Sequence, residues 1–165
     1  MHDDLDRLLS RLRPRDRTEL MECGFDHASA CEAFAVPAVL MRVFRHGSDP
    51  AAVIAFHALT PRALVVSMVA SHDWPKVARS AWRWGMRDAR PHLLHLGFRR
   101  AECRTMAGHA DAVRFLERLG FRRECLVPHF GASGATFIQY AWRIEDHVSR
   151  PYTQGATAGA TTTAA

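Results

Sequence analysis

The residues of this 165-residue chain that could do chemistry are four cysteines, ten histidines and a large excess of arginine. Cys23, Cys31, Cys103 and Cys125 form no C-x-x-C pair, and each falls in a stretch that reads as helix or strand. They are expected to be small buried hydrophobes in a reducing compartment, not disulfides or a zinc cluster. His92 and His95 make an H-x-x-H pair, but no second ligand pair is spaced to complete a tetrahedral site, so no metal is expected. The net charge of +5 comes from 21 Arg against one Lys, Lys76. These arginines are scattered and are not interleaved with aromatics along one segment, which argues against a specific nucleic-acid surface.

The elements that must position any site follow from periodicity. Leu5, Leu8, Leu9 and Leu12 recur at i, i+3, i+4 and i+7, with acids in the first turn, and predict a helix over Asp3–Leu12. Pro14 interrupts it, Asp16–Cys23 reads as a second helix ending at Gly24, and Ala28–Ala35 as a third. The period then changes. Ala38–Arg45, Ala51–Thr60 and Leu64–Ala70, rich in Val, Ile, Leu and Phe and parted by turn residues, predict three strands in a meander. Asp73, Trp74 and Pro75 open a helix to about Arg90, with Trp82, Trp84 and Met86 expected in the core. A strand over Phe98–Met106, a helix over His109–Leu119 and a hairpin of Arg122–Val127 with Thr136–Arg143 complete an α+β order.

One domain, residues 1–148, accounts for this, followed by an Ala/Thr/Gly-rich tail over 149–165 that cannot repay its ordering entropy alone. No apolar run reaches the roughly 18 residues of a membrane helix. The acidic N-terminus does not read as a secretory signal, so the expected location is cytoplasmic.

Ala112, Phe115, Leu116 and Leu119 form one apolar stripe of the last helix, and Gly120 supplies its stop. The pattern Ala112-x-x-Phe-Leu-x-x-x-Gly-Phe121 resembles the C-terminal half of the GCN5-related N-acetyltransferase (GNAT) superfamily, whose usual form is Asn-x-x-Ala-x-x-Phe-Tyr-x-x-x-Gly-Phe. His109 stands at the Asn position and Leu116 at the Tyr position. The resemblance implies the acyl-CoA N-acyltransferase fold, a mixed and mostly antiparallel sheet flanked by helices, and transfer of an acetyl group from acetyl-CoA to an amine. By element order it covers about residues 3–143. The superfamily's first strand has no counterpart, which implies an open sheet edge. Leu12-Arg-Pro-Arg-Asp-Arg-Thr-Glu-Leu20 is similar to an R-P-x-D-R-x-E stretch in bacteriophage-encoded acetyltransferase-like proteins, some of them internal virion proteins.

The same resemblance marks departures. The superfamily binds the CoA pyrophosphate through Gln/Arg-x-x-Gly-x-Gly/Ala after its fourth strand, where this chain reads Asp73-Trp-Pro-Lys-Val-Ala78. Pro75 removes an N–H, Asp73 repels phosphate, and no glycine allows close approach. Trp74, Lys76, Val77, Ala78 and His109 are the positions the resemblance assigns to acetyl-CoA. Leu116 offers no proton to a departing thiolate. With no carboxylate on Leu64–Ala70, His72 and Glu102 are the expected catalytic bases, with His57 a weaker one. Two functions follow as expectations: an acyl-CoA-dependent N-acyltransferase, or a non-catalytic, virion-associated interaction protein. The second would contact virion proteins or its own copies through the open edge and the tail.

Overall fold

The computed structural model describes residues 2–147, so the 149–165 tail and the contacts expected of it lie outside the described residues. Three helices come first: α1 (His2–Leu9), α2 (Pro14–Glu22) and α3 (His27–Ala35). Strands β1 (Leu40–His46), β2 (Asp49–Thr60) and β3 (Ala63–Ala70) follow, then α4 (Trp74–Trp84) and α5 (Arg90–His95), β4 (Arg100–Met106), α6 (Ala110–Arg118), β5 (Arg122–Val127) and β6 (Phe137–Arg143).

The strands form one six-stranded sheet in the order β1-β2-β3-β4-β6-β5. Every neighbouring pair is antiparallel except β3 and β4, which run parallel. Among the described residues β1 is an edge of the sheet, and it carries Arg42 and Arg45, charges that disfavour uncontrolled strand addition.

Two apolar layers clamp the sheet. Leu5, Leu8 and Leu9 of α1 pack with Phe34 of α3 on Val53 and Val69. On the other face Val77, Ala81 and Trp84 of α4 cover Ile54, Phe56 and Leu64. The apolar periods of α1 and α4 point each helix at its own face of the sheet, and burial of these stripes dominates stability.

Three expectations need correction. The helix that begins at Trp74 does not stop near Arg90 but continues to His95 through a π-helical turn, Gly85–Ala89. That widened turn accommodates Pro91, whose ring would otherwise meet the carbonyl one turn back. Trp82 is 38% exposed and not core, its indole N–H donated to the Arg118 carbonyl (3.1 Å). Cys23 and Cys125 are exposed, at the end of α2 and on the edge strand β5, whereas Cys31 and Cys103 are buried as expected. Burial pushes the Cys103 thiol up to about 12, so it stays neutral.

Candidate functional site

β3 and β4 are paired only where Ala63, Leu64 and Val65 face Arg100, Ala101 and Glu102. Beyond these residues the two strands diverge, and a cavity of about 360 Å³ fills the splay. Val66 and Met68 of β3, Trp74 and Trp84 of α4, Phe115 of α6 and Leu119 just after it supply much of its apolar lining. The stripe of α6 is thus only half buried: it faces the cavity instead of a solid core.

Glu102 is the last residue of β4 paired with β3 and stands at the apex of the splay, lining the cavity. One of its oxygens accepts from Arg100 Nε (2.9 Å), and Arg100 is also held by both oxygens of Glu124 (2.7 and 2.6 Å). Glu124 and Glu102 hold the guanidinium protonated, and Arg100 in turn holds the Glu124 carboxyl below the usual range. The second oxygen of Glu102 is left for whatever enters the cavity.

The mouth of the splay on the α2 side is closed by side chains that the sequence did not single out. Ala70, at the end of β3, gives its N–H to Asp16 Oδ1 (2.9 Å) and accepts from the Arg13 N–H (3.1 Å), while Arg13 Nε donates to Asp16 Oδ2 (2.7 Å). Glu19, one turn on, reaches the end of β4. Its Oε2 accepts from Thr105 Oγ1 (3.0 Å), the Met106 N–H (3.2 Å) and His109 Nδ1 (2.8 Å). With a carboxylate on Nδ1, that nitrogen carries the hydrogen. His109, 4% exposed, lines the cavity, and its buried Nε2 has no hydrogen-bond partner and lies 3.7 Å from Asp16 Oδ2. Arg13, Asp16 and Glu19 are spaced i, i+3, i+6 on one helical face, within the stretch Leu12–Leu20. That spacing was the available signal.

The other mouth is the N-terminus of α4. Asp73 does not cap the helix with its side chain. It is 7% exposed and accepts from Lys76 Nζ (2.9 Å) and Arg11 Nη2 (3.1 Å). The Lys76 hydrogen bond above all, then the charges of Lys76, His72 and Arg11, hold its carboxyl below the usual range. The nearby N–H groups are already engaged: Asp73 N–H on Ser71 Oγ, Trp74 N–H on the Ser71 carbonyl, Lys76 N–H on the Asp73 carbonyl. Pro75 has none. Trp74 is buried, edge-on to Phe115 with centroids 4.8 Å apart, and fills the gap between α4 and α6.

Of the expected site residues, Glu102, Trp74 and His109 come together around the cavity. His72 does not line it: it is 62% exposed, beside Arg11 and Asp73. Lys76, Val77, Ala78 and His57 also lie off the cavity, Val77 and Ala78 in the apolar layer under α4. Leu116 lines it without a polar group. Tyr140, a buried phenol, donates to Glu117 (3.3 Å) instead, and burial followed by that carboxylate pushes its pKa up.

No protein family matches the sequence, and no curated protein matches it either. Solved structures do match its fold. Ard1 from Thermoplasma volcanium superimposes with a TM-score of 0.69 at 10% identity, covering 87% of this chain and 93% of that one. A Bacillus subtilis acetyltransferase in complex with CoA gives 0.61 at 14%, covering 86% and 91%. An acetyltransferase of the GNAT family from Bacillus anthracis gives 0.58 at 13%, covering 88% and 92%. The fold is that of the GNAT acetyltransferases. The GNAT fold implies acetyl-CoA, and the start of α4 provides the test of fit. A pyrophosphate needs free N–H groups and close approach, and here those groups are engaged around a buried carboxylate. The residues present do not fit the phosphates of CoA.

Proposed function

We propose that this chain is a GNAT-fold binding protein that does not hold acetyl-CoA by its pyrophosphate and is not an efficient CoA-dependent acetyltransferase. The observation that carries this is Asp73, buried at the start of α4 and paired with Lys76 and Arg11 where a phosphate would need positive charge and free N–H groups. The cavity remains for a smaller, largely apolar ligand. Isothermal titration and thermal shift with millimolar acetyl-CoA are expected to show no binding. Micromolar affinity, with CoA released when an amine is added, would overturn the proposal.

A second reading, acyl transfer to an amine, is favoured by one observation: Glu102 at the apex of a 360 Å³ cavity, with one oxygen shared with Arg100 and the other open. It predicts that Glu102→Gln abolishes any amine-dependent CoA release.

The partners proposed for the binding protein are virion proteins or further copies of the chain. Support comes from the likeness over Leu12–Leu20, which carries the Arg13, Asp16 and Glu19 clasp, and from the free edge of β1. Detection in purified particles by mass spectrometry, or a dimer in light scattering, is the expected outcome. A monomer absent from particles would count against it.

A further inference from the structure

On the opposite side of the molecule from α4, three side chains with metal-binding atoms converge between α1 and α3. His27 and Cys31 stand four residues apart on α3 and share one face of it. Asp6 reaches them from α1, with its Oδ1 2.8 Å from His27 Nε2. The imidazole nitrogen, the thiol sulfur and the carboxylate oxygen all lie within 4.8 Å of one another.

The local structure explains why they meet. Asp26 and Ser29 form a reciprocal capping box, which fixes His27 as the first residue of α3. Leu5, Leu8 and Leu9 pack against Ala30 and Phe34, which sets the distance between the two helices. Cys31 is 7% exposed and held by this packing, while the His27 and Asp6 side chains are 47% and 63% exposed and free to turn. A hydrogen-bonded His–Asp pair accounts for two of these groups but leaves the thiol unused.

We infer that Asp6, His27 and Cys31 bind a divalent zinc-type cation that pins α1 to α3. One thiolate, one imidazole and one carboxylate are ligands of the kind such an ion takes, at bonds of about 2.0–2.3 Å, and small rotations of the two exposed side chains bring them to that range. On binding, the Cys31 thiol proton passes to buffer, and one thiolate with one carboxylate balances the two positive charges. The fourth position faces solvent and takes water. Chain spacing concealed the site because its third ligand comes from another helix.

The test uses the full reduced chain, titrated with Zn²⁺ by calorimetry in buffers of different ionisation enthalpy and with Co²⁺ by absorption. One equivalent is expected, with one proton released and a thiolate-to-cobalt charge-transfer band. Cys31→Ser should remove the band, and both Cys31→Ser and His27→Gln should weaken Zn²⁺ at least about tenfold. His27 is half exposed, so its variant tests the site even if the Cys31 variant folds poorly. No cobalt–thiolate band, or Zn²⁺ binding unchanged in His27→Gln, would overturn the inference.

Discussion

The unit β4–α6–β5 and the turn from β3 into α4 border the same splay, yet they treat it in opposite ways. In the first, the apolar stripe Ala112, Phe115, Leu116 and Leu119 lines the cavity, and Gly120 turns the chain with a φ of +85°. In the second, a carboxylate locked to Lys76 and Arg11 takes the place where the resemblance puts a glycine-rich phosphate loop. Packing tolerates many sequences that preserve an apolar stripe, whereas anion binding at a helix N-terminus depends on a few free N–H groups. An apolar stripe therefore constrains the sequence less than a phosphate cradle does.

The largest expected effect tests how firmly α2 closes this splay. Glu19→Ala leaves the Thr105 hydroxyl, the Met106 N–H and the His109 ring N–H without their shared acceptor and should cost about 3 kcal/mol in urea denaturation. A cost under about 1 kcal/mol would show that water replaces the clasp. The retained side can be strained at Gly120, whose φ is +85° and whose added Cβ would lie 2.7 Å from the His147 ring. That ring is stacked on Trp142, so Gly120→Ala should cost about 1–2 kcal/mol by the same measurement.

The altered side can be rebuilt. Asp73→Gln with Lys76→Gly restores the spacing that the resemblance assigns to the phosphate loop and should bring acetyl-CoA binding into the range calorimetry detects, where wild type shows none. Wild type binding more tightly than this variant would reverse the comparison. The smallest effect is on acid stability. The Asp73 carboxyl is held low in the folded state, so its contribution is present above about pH 4 and is lost as pH falls through the lower folded value. Asp73→Asn should therefore flatten the fall in melting temperature between about pH 5 and 3, and a slope equal to wild type would show that the lock is solvated.

Much of the fold was legible because each element carries a local signal. The leucines of α1, the apolar runs and turn residues of the meander and the Gly120 stop depend only on residues close in the chain. Trp82 was misplaced because helical spacing gives a stripe but not its width, and α6 reaches only the end of α4. The π-helical turn escaped for a similar reason: Pro91 reads as a stop unless the turn before it has widened.

The site divides along the same line. Glu102 and Trp74 were named from their positions relative to the superfamily pattern and do reach the cavity. Asp16 and Glu19 were not named, because a carboxylate on a short polar helix looks solvated until the strand ends it bonds are in place. His109 was assigned to acetyl-CoA by the resemblance. What fixes it is Glu19, ninety residues away along the chain.

By itself the sequence determined the order of elements and the lack of glycine over Asp73–Ala78, since periodicity, turn residues and composition are local properties. Only the tertiary structure decided that β3 and β4 part after Val65 and Glu102, that Asp73 is paired with Arg11 from the turn after α1, and that α2 closes the gap. Each of these joins groups far apart in the chain, and burial decides whether such groups meet water or one another.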